Sequence, residues 1–499
     1  MRIGTSKVSR EIDRVCIEEL KIPGIILMEN AALKVIKNMD LEHLNNISVV
    51  CGKGNNGGDG FAIARHLYIL GKTVNVFVIG SEVKLPKDAS VNYAALINMG
   101  LKINKIENIE DLYEFRNIIN ESDGVVDSIL GTGITRKVQG LYEQIISIIN
   151  ENSKYIIAVD VPSGMNSDTG EILGMCVKAN KTVSFQLYKK GFLKYGSCKF
   201  TGDIIVENIG VPSRVIDEKC PEEYILDRKF INSKIKTRDK YSNKGDFGRA
   251  LVVAGSVGFT GAAYITTEAS VKSGAGLVTL LCPKNIQEIL SSKLIEAMTI
   301  NFEQEDVILE ALTKAKVVAV GPGMGNNEKT LSFIKMLAEN ANCPFVLDAD
   351  GINVLKDNEE ILEKLKNRAI LTPHPGEFSR ITGLDVDYIN ENRIEVSKAF
   401  ARKHKIVLVL KGYNTIITDG EFSFINSTGN SAMANGGMGD CLTGLITSFV
   451  SQGYSLLEAA YIGVFVHGYC GDVLSEDMFC VNANHVLEYL PYAIKEICE

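Results

Sequence analysis

Eleven cysteines occur in the 499-residue sequence, yet no two stand at C-x-x-C spacing, which excludes a zinc knuckle, a dithiol redox motif and a dense disulfide scaffold. The six histidines never fall at H-E-x-x-H spacing, so a zincin-type site is absent and any metal is expected to be hard and oxygen-bound. No Walker A sequence, G-x-x-x-x-G-K-[ST], occurs, which excludes P-loop phosphoryl transfer. No apolar run approaches the roughly 18 to 20 residues that a membrane span needs, and the N-terminal MRIGTSKVSREIDRV has no apolar signal-like core. Positive charge is not in excess either. Lys and Arg number 53 against 61 Asp and Glu, for a net charge of −8, so no basic field exists to neutralise a phosphate backbone. A cytoplasmic protein with no membrane and no nucleic-acid partner is the expectation.

What is present is ordinary globular material, 45% hydrophobic and 23% charged, and too long for one core, so two or three domains are expected. Amphipathic helical stretches alternate with short β-branched runs: ISVV ending at Val50, VNVFVIG, GVVDSI and YIIAVDV, then ALVVAG, GLVTLL, VVAVG, PFVLDAD, AILTPH, IVLVLKG and TIITDG. Such alternation predicts α/β domains with buried, largely parallel sheets. The most polar and pattern-poor stretch runs from about Asp217 to Asn243, with Pro221 inside it, which sets a boundary near Cys220 to within about ten residues. Domains of 1–220 and 221–499 follow, each large enough to fold alone.

In the first domain, ISVVC leads into GKGNNGGDG, Gly52 to Gly60, and then into the helical FAIARHLYIL. A strand, a glycine loop and a helix N-terminus in that order let backbone N–H groups meet a phosphate; a tight structural turn is the other reading. Gly52, Gly54 and Gly57 satisfy G-x-G-x-x-G, but the next strand ends in Gly80 instead of the acid that an ordinary dinucleotide site uses for ribose. Two further apolar runs end in acids: Asp127 ahead of Gly131–Gly133, and Asp160 ahead of Ser163. Each acid could be no more than a cap or turn former. Three such strand ends in one domain are what an open α/β sheet presents to a ligand. Asn56, Asp127 and Ser163 offer oxygen ligands for one hard cation, and Asp160 is the best-placed general acid/base.

GNNGGDG, DSILGTG and DVPSGMNSDTG resemble the three motifs of the NAD(P)H-hydrate epimerases over essentially residues 1–220. The resemblance implies a Rossmann-like three-layer domain. It also implies that Asn55, Asn56, Gly57, Gly58 and Asp59 contact the hydrated nicotinamide nucleotide, as do Gly131, Thr132, Gly133, Ile134, Thr135, Arg136, Lys137 and Asp160. Carried over the same way, Asn56, Asp127 and Ser163 match the family's K⁺ ligands.

In the second domain, GNSAMANGGMGDCLTGLITSFV places glycines and Asp440 before an apolar helix expected to begin at about Leu442. Amides of Gly436 to Gly439 could stabilise a transferring phosphoryl group, with Asp440 accepting a proton from a substrate hydroxyl. A packing turn with an N-cap Asp is the plainer reading. KGDFGRALVVAGSVGFTGAAYITTEASVKSGAGLVTL, AVGPGMG, VLDADGINVL, LTPHPGEFSRITG and LKGYNTIITDG accompany it in that order. Together they resemble the ADP-dependent NAD(P)H-hydrate dehydratase branch of the ribokinase-like superfamily, from roughly Lys244 to Ala493. His374, in HPGE, separates this branch from kinases that carry Asn-x-x-Glu there. The resemblance implies that Ala263, Gly323, His374 and Asp440 touch the hydrate. It further implies that Lys411, Gly412, Tyr413, Asn414, Thr415 and Gly439 hold the adenine nucleotide. By residue type alone, His374 could be a turn histidine and Lys411 a solvated lysine.

Joined in one chain, the two resemblances imply repair of hydrated NADH and NADPH (NADHX and NADPHX). The first domain would exchange the R and S epimers. The second would use ADP and Mg²⁺ to dehydrate the S form, releasing AMP and phosphate, with Asp160 and Asp440 as the catalytic residues. A homo-oligomer is expected. Two other readings stay open: a ribokinase-like vitamin-precursor kinase fused to a nucleotide-binding regulatory domain, and a catalytically idle NAD(P) sensor.

Overall fold

The computed structural model describes residues 1–80 and 84–499 and divides into two units, Met1–Pro221 and Glu222–Glu499, each built around its own sheet. In the first, the strands of the main sheet are β1 (Asn46–Cys51), β2 (Thr73–Ile79), β3 (Ile103–Ile106), β4 (Gly124–Ser128), β5 (Ile156–Val159), β6 (Lys181–Phe185) and β7 (Asp203–Glu207), and Ile3–Gly4 pairs separately with Tyr188–Lys189. They lie parallel in the order β3-β2-β1-β4-β5-β6-β7. Alternate side chains of one strand feed opposite faces, as the two-residue period of a strand requires. Ile47, Val49 and Cys51 join one core, with helices α1 (Gly24–Lys37) and α2 (Asn55–Ile69); Val50 joins another, with α3 (Leu112–Glu121) and α4 (Leu141–Asn152). Helices on both faces make three layers, and strands buried on both sides read as continuous apolar runs. This is the expected Rossmann-like arrangement. Its strand order reverses between β1 and β4, which opens a crevice beyond their carboxyl ends.

The second unit has β8 (Glu223–Ile225), β9 (Arg249–Val253), β10 (Leu277–Cys282), β11 (Met298–Asn301), β12 (Val317–Val320), β13 (Phe345–Leu347), β14 (Ala369–Leu371), β15 (Val407–Leu410), β16 (Thr415–Thr418) and β17 (Ser423–Asn426). Their order is β8-β17-β16-β15-β14-β13-β12-β9-β10-β11, parallel except at the antiparallel β15–β16 and β16–β17 pairs. Helices α5 (Thr260–Lys272), α6 (Met438–Ser451) and α7 (Leu456–Leu474) carry much of its core, including Ala269, Leu445, Ile446, Phe449, Ile462 and Phe465.

The polar stretch from Asp217 to Asn243 is not the patternless linker its composition suggests. It contains β8 and a short helix, Arg228–Asn232, and buries Leu226 and Ile231. Its strand pairs with β17 alone, so one of its hydrogen-bonding edges is left open at the margin of the sheet.

Candidate functional site

At the switch point of the first unit, the glycine turn between β1 and α2 folds back on the end of β4: Gly52 N–H donates to Ser128 O at 3.0 Å. A Cβ at Gly57 would stand 2.0 Å from the Gly52 carbonyl oxygen, so only glycine allows the turn to close. Helix α2 starts at Asn55 with no side-chain cap, leaving first-turn amides for a ligand. A cleft of about 810 Å³ opens here, lined by Asn55, Asn56, Asp59, Gly131, Thr132, Gly133, Ile134, Thr135, Arg136 and Asp160. Gly57 and Gly58 lie buried beneath this wall, and Lys137 stands outside it.

Asp160, directly after β5, has φ +66, a left-handed conformation uncommon for a residue with a side chain. Its Oδ1 accepts from Lys189 Nζ at 2.9 Å and from Ser184 Oγ at 3.0 Å. Lys189 is buried, and the sequence reading missed it: the polar YKKG segment gives no sign of a buried ammonium. Asp59 and Asp13 share the cleft with this pair. Burial, followed by the charges of Asp160 and Asp13, pushes the Asp59 carboxyl well above the usual carboxylate range. Asp13 is raised too, by burial first, with Lys189 opposing and Asp160 adding. The cleft thus holds an ion-paired carboxylate beside one biased toward its protonated form.

Below the Gly131 loop, the Ser163 hydroxyl donates to Asp127 Oδ1 at 2.6 Å and Ser163 N–H to Oδ2 at 2.8 Å. Asp127 is fully buried, and no basic side chain is paired with it among the described residues. Burial pushes its carboxyl up to about 6 against hydrogen bonds from Ser163 and Ile129. Asn56 packs against Gly131, and its buried Nδ2 has no partner. A buried carboxylate without a cation is costly. The donor set of carboxylate, hydroxyl and amide oxygen suits a hard ion. Among the described residues no cluster of three His, Cys, Asp or Glu forms a softer metal site.

In the second unit, α6 begins at Met438, earlier than the expected Leu442, because Gly437 at φ +89 forms its N-cap. Asp440 therefore sits inside the first helical turn. Burial, followed by the charge of Asp348 and opposed by Lys411, pushes its carboxyl up to about 6. Lys411, after β15, donates to Asp348 Oδ1 at 2.7 Å, and Thr443 Oγ1 donates to Oδ2 at 2.8 Å. Burial alone would raise Asp348, but Lys411 and these hydrogen bonds hold it below its ordinary value. A Cβ at Gly439 would come 3.3 Å from Lys411 Nζ, so the glycine lets the helix start lie against the lysine. Asp348 follows β13 at the same kind of strand end as Asp127 and Asp160, a signal present in VLDADG but not used. Ala349 beside it has φ +49.

His374 caps helix α8 (Pro375–Thr382): its Nδ1 accepts from the N–H of Gly376 at 3.0 Å and of Glu377 at 3.3 Å, while Glu377 Oε2 accepts from His374 N–H at 2.8 Å. With Nδ1 as acceptor, the neutral ring carries its proton on Nε2. That Nε2 stands 3.5 Å from Glu377 Oε1, so the ring meets the same glutamate from both of its nitrogens. Gly323 follows β12 at φ +65, against Phe259 and Ala262, whereas neighbouring Ala263 is fully buried behind Gly255. In the segment after β15, Gly412 lies against Arg393, which donates to the carbonyls of Leu410 and Lys411 at 2.9 and 3.1 Å. Tyr413 is exposed, Asn414 is buried at φ +56, and Thr415 Oγ1 donates to Gly412 O at 2.9 Å. The structure therefore gathers Lys411, Gly439 and Asp440 around Asp348, with Gly323 after β12 and Ala263 in the first turn of α5 on one side and residues 412–415 on the other.

Residues 24–191 match the family model described as YjeF-related protein N-terminus, and residues 250–492 match the one described as NAD(P)H-hydrate dehydratase. The bifunctional NAD(P)H-hydrate repair enzyme Nnr of Moorella thermoacetica is 35% identical, with 100% of this chain and 98% of that protein aligned. The protein of the same name from Escherichia coli is 33% identical over 86% of this chain and 80% of its own. Among solved structures, a ribokinase-like superfamily protein from Enterococcus faecalis superposes with a TM-score of 0.51 and 26% identity, covering 55% of this chain and 96% of its own. A hypothetical protein from Streptococcus mutans gives 0.50 and 32%, over 55% and 100%. The second unit has the ribokinase-like fold.

Proposed function

Because the chain belongs to the family of bifunctional NAD(P)H-hydrate repair enzymes, we propose that it returns hydrated NADH and NADPH to the intact reduced cofactors in two steps. The first unit exchanges the R and S epimers. Inverting the hydroxyl-bearing ring carbon needs a bond to that carbon broken and remade from the opposite face, with a proton given and a proton taken. Asp59, biased toward its protonated form, is the donor. Asp160, ion-paired with Lys189, is the acceptor, and the unfilled amides at the start of α2 meet the substrate phosphates.

Asn56, Asp127 and Ser163 hold K⁺, which neutralises the buried carboxylate and stiffens the Gly131 loop above it. The buried carboxylate of Asp127, with no basic side chain paired to it among the described residues, supports that assignment.

The second unit dehydrates the S form. Asp440 takes the proton of the ring hydroxyl as that oxygen attacks the terminal phosphate of ADP, the amides of Gly436 to Gly439 stabilise the transferring group, and AMP leaves. Elimination of phosphate then yields the reduced ring, because phosphate is a far better leaving group than hydroxide. Residues 411–415 and Gly439 hold the nucleotide, with Mg²⁺ arriving on its phosphates. Ala263, Gly323 and His374 face the hydrate. A homo-oligomer working in the cytoplasm completes the reading; among the described residues no helix is long and apolar enough to cross a membrane.

The observation that carries the proposal is the end-to-end match to bifunctional relatives in a chain whose two units each keep a lysine–aspartate pair beside a second carboxylate. The test is the near-ultraviolet absorbance of the reduced ring, followed as protein meets an epimer mixture of NADH hydrate with ADP or ATP. Full recovery with ADP is expected. Recovery that stops at the S fraction would remove the first unit's role, and none with either nucleotide would favour the kinase or sensor reading.

A further inference from the structure

Beyond Gly323 and Ala263 the carboxyl edge of the second sheet continues across β9, β10 and β11, and a separate cleft of about 660 Å³ lies there. Gly255, whose Cβ would meet Ala263 at 2.9 Å, and Met324, next to Gly323, form its near wall. Its far wall is an aromatic pair, Phe302 and Phe333, with ring centroids 4.7 Å apart. Lys284, Lys329 and Glu303 stand at its mouth. Lys284 is paired with Glu303 at 2.7 Å, whereas Lys329 is exposed and pairs with no described residue.

Strands lie about 4.8 Å apart, so the step from Asp348 on β13, across β12 and β9, to β10 and β11 is roughly 14 to 19 Å. That is the reach of a dinucleotide, two nucleosides joined through a pyrophosphate, and beyond that of a mononucleotide. The adenine nucleotide consumed in the reaction lies in the opposite direction, at residues 411–415 beside β15. A substrate whose ring is held at Asp440 and His374, and whose body runs past Gly323, has only the β10–β11 direction left for its second half.

We propose that this cleft binds the adenosine half of the dinucleotide hydrate, with the purine against Phe302 and Phe333 and Lys329 facing a phosphate. The inference rests on the dehydratase reading of this unit. A stack that is the same before and during the reaction is uniform binding, so its loss raises KM with kcat unchanged.

The test compares Phe333→Ala and Lys329→Glu with the unaltered chain on the S hydrates of NADH, NADPH and nicotinamide mononucleotide, with melting curves to confirm folding. Phe333→Ala is expected to raise KM for both dinucleotide hydrates about tenfold, the scale of one lost base–aromatic stack, without changing turnover of the mononucleotide hydrate. Lys329→Glu, a surface change that leaves packing intact, is expected to do the same by about tenfold through its phosphate. A larger effect on the NADPH hydrate identifies the ribose phosphate, and equal effects identify the pyrophosphate; either supports the site. Unchanged KM for both dinucleotides in both variants, or a shift shared equally by the mononucleotide, overturns it. Failure of the unaltered chain to dehydrate any of the three would overturn the dehydratase reading, and this proposal with it.

Discussion

In the first unit Lys189 is paired with Asp160 at 2.9 Å, and it is the neighbouring Asp59 whose carboxyl is pushed up; in the second, Lys411 is paired with Asp348 at 2.7 Å, and it is Asp440. The parallel extends to position. Asp160 and Asp348 each follow a strand, beside a left-handed residue that is Asp160 itself in one case and Ala349 in the other. Asp59 and Asp440 each lie near the start of the helix that follows a glycine turn. One buried lysine can neutralise one carboxylate, and burial then keeps the other from ionising, so two chemically equal groups take different roles. The difference between the units is what stands beyond the pair: a third acid, Asp13, and a buried carboxylate nest in the first, and the helix-start amides with Thr443 and Glu377 in the second.

The largest effects test whether the parallel extends to catalysis. Asp440→Asn is expected to lower dehydration by at least about 10²-fold and leave epimerisation unchanged. Asp59→Asn and Asp160→Ala should each lower epimerisation by about 10²-fold and spare dehydration. Rates of the two steps, measured separately on R- and S-enriched hydrate, decide it. Near-wild-type epimerisation in Asp59→Asn would break the comparison, since Asp160 would then act alone.

Next in size is the contribution of each lysine to stability. Removing one partner of a buried pair leaves a charge uncompensated, at about 3 kcal/mol. Lys189→Met should therefore destabilise the first unit and Lys411→Met the second, read as separate shifts in denaturant midpoint. Lys411→Met combined with Asp348→Leu should recover most of the stability and none of the dehydration, because an apolar pair can replace a buried ion pair but cannot organise the helix start at Gly439. Recovery of activity in the double variant would reduce Lys411 to a packing residue.

Much of this layout could be read before any coordinates. Strand-end acids after apolar runs, and glycine turns before helices, are local patterns, and they located Asp127, Asp160 and Asp440 and the loops around them. Other parts could not be read locally. β3, β7, β8 and β11 are short, with half-exposed or polar members, so they carry little apolar signal and are fixed by the neighbours they pair with. The helix start at Met438 depends on the positive φ of Gly437, which a run of four near-glycine positions leaves open. Lys189 and Lys411 look like solvated lysines, since nothing local says that a lysine is buried; their partners come from strands 29 or more residues away in sequence. The raised carboxyls of Asp59 and Asp440 follow from that burial and were equally invisible. Ala263 is fully buried in the first turn of α5, so the contact its motif implies is one for its backbone, a distinction no local pattern carries.

A smaller effect separates the units by their ion. Asp127, at about 6 in the fold, binds its proton more tightly there than in the unfolded chain, so stability falls as pH rises from about 4 to about 6, by about 3 kcal/mol in all. K⁺ bound to the ionised form should return part of this, about 1.4 kcal/mol at ten times its dissociation constant. The melting temperature of the first unit should then rise with K⁺ near neutral pH, stay flat near pH 4 where Asp127 is protonated, and lose its K⁺ dependence in Asp127→Asn. A K⁺ shift of equal size in the second unit, or one that survives Asp127→Asn, would place the ion elsewhere.

The smallest effect is also the sharpest test of the comparison, because the two activities of one chain should respond differently to pH. On the proposed mechanism Asp440 is the base and must be ionised, so dehydration should rise as pH climbs through about 6, with half its plateau at that value. Asp59, the proposed donor, must hold its proton, which burial and Asp160 keep on it well above the usual carboxylate range. Epimerisation should therefore hold steady through the pH at which dehydration is rising, and decline only on the alkaline side. Asp440→Glu keeps a carboxylate in the first helical turn but reaches further into water, so its limb should move to lower pH along with reduced turnover. If epimerisation instead shows no alkaline decline, Asp59 is not the donor, and the division between lysine-paired acceptor and protonated donor does not hold in the first unit.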